Sequence, residues 1–287
     1  MPRLPRRAVP RPAAGTFDRA ANLRRLADEE FDVVVVGGGI TGCGVALDAA
    51  ARGLRAALVE AEDFASGTSS RSSKLVHGGL RYLNHREFHL VYEALAERQR
   101  LLRNAPHLVR PLPFVIPLFG REGVVAAGVA RAYSTALWLY DLTGGLRIGR
   151  RHRRITADEA RARVPGLRAE RLAAAFLYWD AQADDARLTL AVARTAAALG
   201  AAVVNRAPVA ALLREPGPAG ASTAEPARSA ADPPACTAGP AGPAPDPPDP
   251  AGRVAGVRLA DGTEVRARVV VNAGGVWSEV IGHLPGG

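Results

Sequence analysis

The chain has 287 residues and a mass of 30.0 kDa, enough for one substantial hydrophobic core or two modest ones. Its formal charge of +9 is concentrated at the start, where residues 1–25 carry seven arginines and one acid; the remainder is nearly balanced, which argues against a wholly basic nucleic-acid-binding surface. Two cysteines, Cys43 and Cys236, and six histidines without ligand spacing give neither a disulfide framework nor a metal site, a usage that suits a reducing, cytoplasmic compartment.

Residues 1–28 are basic and proline-bearing, with no apolar run behind the arginines, so they read as a disordered N-terminal extension and a poor secretory signal. No later stretch approaches the roughly 20 apolar residues that cross a bilayer. Phe31-Asp-Val-Val-Val-Val36 is an almost unbroken β-branched run, as in a strand covered on both faces. A glycine turn, a helix from Ile40 to Arg52 and a second strand over Ala56–Glu60 complete a strand-helix-strand unit.

Arg86–Asn104 reads as a helix with Phe88, Val91, Leu95, Leu101 and Leu102 near one stripe, stopped by Pro106. Phe114–Leu118 is a short strand whose proline assigns it to an edge or a bulge. Val124–Leu142 is helical in pattern, with Trp138 and Tyr140 as packing aromatics, and Thr156-Ala-Asp-Glu159 has the capping pattern of a short helix. Strands follow at Phe176–Trp179, Val203–Val204 and Val209–Leu213, with a helix over Asp185–Leu199; Arg253–Leu259 and Glu264–Asn272 form a meander turning at Asp261-Gly262. Residues 216–250 hold eleven of the 22 prolines and few large apolar side chains, so they read as a disordered Pro/Ala-rich insertion at a hairpin tip.

The chain is therefore expected to be α/β. A Rossmann-like dinucleotide domain takes 29–110, 181–215 and 251–287, interrupted at 111–180 by part of an α+β substrate-binding domain.

Gly37-Gly38-Gly39-Ile40-Thr41-Gly42 matches Gly-x-Gly-x-x-Gly between a strand and a helix. The first glycine permits the turn, Gly39 lets backbone approach a pyrophosphate, Gly42 lets the helix lie close to the sheet, and the helix N-terminus supplies partial positive charge. Glu60 follows at the end of the next strand, where its carboxylate can accept ribose hydroxyls and disfavours a 2′-phosphate. The fingerprint alone does not separate FAD from NAD. The segment Asp63 to Tyr82 tips the balance to FAD: its small hydroxyl and glycine residues let backbone run along a flat ligand, and Lys74, His77, Arg81 and Tyr82 add charge and hydrogen bonds.

At this point the sequence resembles the FAD-dependent glycerol-3-phosphate dehydrogenases, whose FAD domain is of the glutathione-reductase/D-amino-acid-oxidase type. The matching segments are VVVVGGGITGCGVALDAAARGLRAALVE (33–60), DFASGTSSRSSKLVHGGLRYL (63–83), AERQRLLRNAPHLVRPLPFVIPLF (96–119), YWDAQADDARLTLAVARTAAALGA (178–201) and VVVNAGGVWSEVI (269–281). SSRSSKLVHGGLRYL is the most specific. Two positions depart from the family pattern: Ala181 stands where a glycine is usual and Val276 where a proline is usual. Family members also continue for a further couple of hundred residues, so the chain reads as a fragment or truncated product.

The resemblance implies oxidation of sn-glycerol 3-phosphate to dihydroxyacetone phosphate, with hydride passing to the flavin and electrons on to a quinone or another acceptor. It implies FAD contacts from Gly37, Gly38, Gly39, Ile40, Gly42, Glu60, Thr68, Ser69, Ser73, Lys74, Leu75, His77, Val209, Ala273 and Gly274. Arg81 and Tyr82 line the substrate site, Arg81 as a phosphate-binding guanidinium. His77 is the base for the hydroxyl proton, a hydrogen-bonding residue that positions ring or substrate, or a plain loop histidine. Asp184, Asp185 and Arg187 read as a helix-start network, and His85 and His89 as exposed helix residues without a third metal ligand. A related amine or hydroxy-acid flavoenzyme and an inactive flavin-binding fragment stay open as alternatives, as does peripheral contact with the inner face of the cell membrane.

Overall fold

The computed structural model describes residues 17–79, 87–120, 127–143, 148–215 and 252–286. In chain order the elements are α1 (Arg19–Asp28), β1 (Phe31–Val36), α2 (Ile40–Ala51), β2 (Ala56–Val59), β3 (Leu75–Val76), α3 (Phe88–Asn104), β4 (Val109–Phe119), α4 (Ala127–Thr143), β5 (Arg153–Thr156), α5 (Ala157–Arg163), β6 (Leu172–Ala183), α6 (Asp185–Ala198), β7 (Ala202–Val204), β8 (Val209–Glu215), β9 (Arg253–Leu259), β10 (Glu264–Asn272) and α7 (Ser278–Gly282). Two compact units result: one runs up to Ser69 and resumes at Thr189, and the other is Ser70–Leu188.

The first unit is built on a six-stranded sheet in the order β7-β2-β1-β10-β9-β8. Its first four strands are parallel, and β9 and β8 continue it antiparallel. The valine run of β1 explains its central place. Val34 and Val36 enter one apolar cluster with Leu26, Phe31, Val59 and Val257, while Val35 enters another with Cys43, Ala46, Leu58 and Ala196. Both faces are thus covered, as a near-continuous apolar strand requires. The alanines of α2 and α6 let those helices approach the second face closely, and burial pushes the Cys43 thiol up to about 12.

The expected disordered extension needs correction at its C-terminal end, since residues 19–28 form α1. Asp18 caps it by accepting the Ala21 N–H at 3.1 Å, and Leu26 is fully buried against Phe31 and Val34. Burying one such leucine stabilises by about 1.5–3 kcal/mol, enough to dock a short helix whose arginine-rich composition masks its Leu23/Leu26 stripe. Residues 1–16 lie outside the described residues.

The second unit holds an antiparallel sheet with β6 at its centre. β4 pairs with β6 from Val109↔Ala183 to Phe119↔Leu172, and β5 and β3 share the other side of β6. Both long strands exceed the short ones expected from sequence. β4 keeps Pro111, Pro113 and Pro117 because the three share one parity and, among the described residues, β4 pairs only with β6, so their missing N–H groups fall on the side away from β6. The pairing of β3 with β6 and the packing of α3 on β4 draw residues 70–110 into this unit. Its boundaries are accordingly 70 and 188, wider than the 111–180 read from the sequence. Ala181 lies in regular strand opposite Val76 and Pro111, where no glycine is needed.

The hairpin expected around the proline-rich window appears in its stem, with Glu215 opposite Arg253; residues 216–251 themselves lie outside the described residues. Among the described residues, no helix is long and apolar enough to cross a membrane.

Candidate cofactor site

A cavity of about 480 Å³ opens in the first unit at the carboxyl ends of β1, β2 and β10, beside the start of β8. This is where a sheet with strand order reversing about β1 receives ligands. Of the residues that the sequence assigned to FAD, Gly37, Gly39, Ile40, Glu60, Thr68, Ser69, Val209, Ala273 and Gly274 line this cavity. Gly38 and Gly42 are not among its lining residues.

The turn requires glycine at two points. Gly37 has φ +116°, and a Cβ there would run into the Ala273 carbonyl; a Cβ on Gly42 would run into the carbonyl of Gly37. The first turn of α2 carries no acid, so its exposed N–H groups keep their attraction for an anion. Ser69 Oγ accepts the Ile40 N–H at 2.9 Å. At the end of β2, the Glu60 carboxylate accepts the Gly38 N–H at 2.5 Å and the Glu62 N–H at 2.8 Å, which hold it at the cavity wall. A cradle closed to side chains, an acid-free helix start and a fixed carboxylate one strand away are the features that FAD requires of this region.

Sequence reasoning named the segment that holds Ser66 and Gly67 but missed Val36, Ala207, Pro208, Trp277 and Ile281 in the lining. Trp277 and Ile281 stood within the segment 269–281; the Ala207-Pro208 corner between two short strands carries no comparable signal.

Ser73, Lys74, Leu75 and His77 belong to the second unit, and Arg81 and Tyr82 lie outside the described residues. Leu75 is in β3. Lys74 Nζ pairs with Asp185 Oδ1 at 2.5 Å, while the Ser72 hydroxyl and N–H donate to Asp185 Oδ2 at 2.7 and 3.1 Å. Lys74 and Ser72 hold the Asp185 carboxyl well below the usual range, and Asp185 raises the Lys74 ammonium. Asp184 Oδ1 accepts the Arg187 N–H at 3.1 Å, so the helix-start reading of this acid pair holds, with Lys74 recruited to it. His89 is exposed on α3; His85 lies outside the described residues.

His77 Nδ1 accepts the Gly79 N–H at 3.0 Å. A backbone N–H can only donate, so the neutral ring carries its own proton on Nε2 and offers a donor there. The neighbouring Gly78 N–H donates to Tyr140 OH at 3.1 Å and to Asp180 Oδ1 at 3.2 Å. Tyr140 OH also donates to Asp180 at 2.8 Å, and Arg98 Nη1 donates to Asp180, to Tyr140 OH and to the Trp179 carbonyl. The Arg98 and Asp180 side chains are 1% and 3% exposed. Burial and the Asp180 carboxylate push the Tyr140 phenol upward. This network, which the sequence did not reveal, ties the His77-Gly78-Gly79 segment to α3, α4 and β6.

The sequence matches the FAD dependent oxidoreductase family over residues 32–244. The chain belongs to the FAD-dependent oxidoreductase family. It is 45% identical over 284 residues to the glycerol-3-phosphate dehydrogenase of Mycobacterium leprae, covering 96% of this chain and 41% of that protein. It is 44% identical over 208 residues to the mitochondrial glycerol-3-phosphate dehydrogenase of Rattus norvegicus, covering 70% of this chain and 28% of the relative. The chain thus spans well under half the length of these relatives. The Bacillus halodurans glycerol-3-phosphate dehydrogenase, solved with FAD, superposes with a TM-score of 0.59 at 28% identity, covering 92% of this chain and 38% of that one. The L-proline dehydrogenase of P. horikoshii shares the fold, with a TM-score of 0.60 at 20% identity over 89% of this chain and 56% of that one.

Proposed function

We propose that the chain carries the flavin-binding part of an enzyme that oxidises sn-glycerol 3-phosphate to dihydroxyacetone phosphate. The observation that carries the proposal is the 45% identity, sustained over 96% of the chain, to a glycerol-3-phosphate dehydrogenase. Bound FAD supplies a two-electron acceptor for the hydrogen leaving C2 of the substrate. Gly37 to Gly42 and the start of α2 would hold its pyrophosphate, and Glu60 its ribose hydroxyls.

Of the roles that the sequence left open for His77, its hydrogen bond favours positioning over proton abstraction. With Nδ1 committed to the Gly79 N–H, the ring donates from Nε2 to a substrate or flavin oxygen, and the hydroxyl proton leaves to another base. Arg81 and Tyr82 follow directly in sequence and are the proposed substrate residues, Arg81 as partner of the phosphate. A quinone or other acceptor, reached at the inner face of the cell membrane from the cytoplasm, would reoxidise the flavin.

Anaerobic titration of the holoprotein tests the substrate. Addition of sn-glycerol 3-phosphate should bleach the visible absorbance of the flavin, whereas D-amino acids and N-methyl amino acids should leave it unchanged. Bleaching by an amino acid and not by glycerol 3-phosphate would overturn the assignment.

A further inference from the structure

Two loops close the Glu60 end of the cofactor cavity. One follows β2 and includes Glu60, Ala61 and Phe64; the other joins β7 to β8 and presents Ala207 and Pro208 to the cavity. They are tied across by backbone hydrogen bonds, with Arg206 N–H on the Glu62 carbonyl and Ala207 N–H on the Glu60 carbonyl, both at 2.8 Å. Asn205 Nδ2 adds a bond to Asp63 Oδ1 at 3.0 Å. At the centre of the second loop, Arg206 has φ +50°, a left-handed conformation disfavoured for a residue with a Cβ and held only where neighbours fix it.

The neighbour that fixes it comes from the N-terminal segment. Arg19 donates from Nε to the Asn205 carbonyl and from Nη2 to the Arg206 carbonyl, each at 3.0 Å. The planar guanidinium therefore spans two consecutive carbonyls on either side of the strained residue, a geometry that a single ammonium cannot reproduce. Two residues earlier, the Phe17 ring packs on Phe64 with centroids 5.8 Å apart. Phe64 in turn backs the glycine turn, since a Cβ added at Gly38 would meet its Cδ1 at 2.8 Å. The helix that delivers Arg19 is anchored independently, by buried Leu26 and by the Asn22 side chain on the Val203 carbonyl.

We propose that Phe17 and Arg19 are positioning residues for FAD: together they brace the two loops that form the Glu60 wall of the cavity. A wall already fixed loses less conformational freedom when ligand arrives, so the brace acts on cofactor affinity. This inference rests on the assignment of the cavity to FAD and not on the identity of the substrate.

The test compares apoprotein variants of the full chain by equilibrium FAD titration, read as quenching of flavin fluorescence, and by melting temperature without FAD. Arg19→Ala should weaken FAD binding by about five- to thirty-fold, because the loosened loops must be ordered again when the cofactor binds, while the apoprotein still melts in one cooperative transition. Arg19→Lys, whose ammonium lacks the planar fork that spans both carbonyls, should recover part of the affinity. Arg25→Ala is the control on the same helix: it removes the Glu29 pair, a long bond to Asn22 Oδ1 and the bond to the Gly200 carbonyl, and should leave FAD affinity unchanged. The brace is overturned if Arg19→Ala binds FAD within about twofold of the parent, or if Arg25→Ala weakens binding as much. A parent chain that takes up no FAD would overturn the cavity assignment and the brace together.

Discussion

The two units solve opposite problems. In the first, the cofactor cavity is made largely of what is missing: at Gly37 and Gly42 side chains are excluded by backbone only a few residues away or across one strand. In the second, the segment bearing His77 is held by what is present, a buried cation, carboxylate and phenol contributed by α3, β6 and α4. A site built from backbone is specified by short sequence spacing. One built from a buried ionic network is specified by convergence of distant residues, and its charges stay ionised only while each keeps its partner.

The contrast can be broken first at Asp180. Asp180→Ala leaves Arg98 buried without its carboxylate, and should lower the unfolding free energy by about 3–5 kcal/mol. Urea unfolding followed by tryptophan fluorescence measures it, since Trp138 and Trp179 both belong to this unit. A loss under about 1 kcal/mol would show that the network is not what holds the segment.

The first unit should yield less stability but more cofactor affinity to a single methyl group. Gly42→Ala forces the Gly37 carbonyl aside and should cost about 1–3 kcal/mol, with a loss of FAD binding seen by fluorescence titration. Gly44→Ala, in the same helix, meets nothing within 4 Å and should instead stabilise by up to about 1 kcal/mol through helix propensity. Equal outcomes for the two would refute the close-approach argument.

The smallest effect is expected where the second unit resembles a surface. Lys74→Ala removes the leading cause of the lowered Asp185 carboxyl. In the parent, a folded pKa below the ordinary value of about 3.9 contributes stability above that value, which is lost as pH falls through the folded pKa. The variant should shift this loss upward in pH, toward the ordinary value, as read from the Asp185 carboxyl resonance in an NMR titration; Ser72 keeps part of the depression. An unmoved titration would assign the shift to the Ser72 and Ala186 bonds.

This difference between local and convergent structure also decides what could be read from the sequence. The unit from Phe31 to Glu60 was legible nearly to the residue, because a valine run, a glycine turn and a terminal acid each carry a local physical meaning. Most of the expected FAD residues in that unit do line its cavity. β6 was visible only at Phe176–Trp179, since the alanines on either side have weak strand preference. α1 was hidden because a single docked leucine decides it against an arginine-rich background. Arg98, Tyr140 and Asp180 stood apart along the chain, and their pattern gave no reason to join a helix arginine, a helix tyrosine and a strand aspartate. For Ser73, Lys74 and His77 the sequence located the segment, but only the fold gave Lys74 its partner Asp185 and His77 its bond from Gly79.

The stem formed by β8 and β9 has a consequence for how this scaffold tolerates change. Val209, at one end of β8, lines the cavity, and Glu215, at the other, stands opposite Arg253 where the chain departs from the sheet. The ladder is closed from the cavity outward, so added length beyond Glu215 raises the loop-closure cost by about 0.6 kcal/mol for each doubling. The seven residues of β8 thus work as an insulator roughly 20 Å long: lineages or engineers can vary what is threaded through the tip, even a whole inserted domain, while the cavity wall keeps its register.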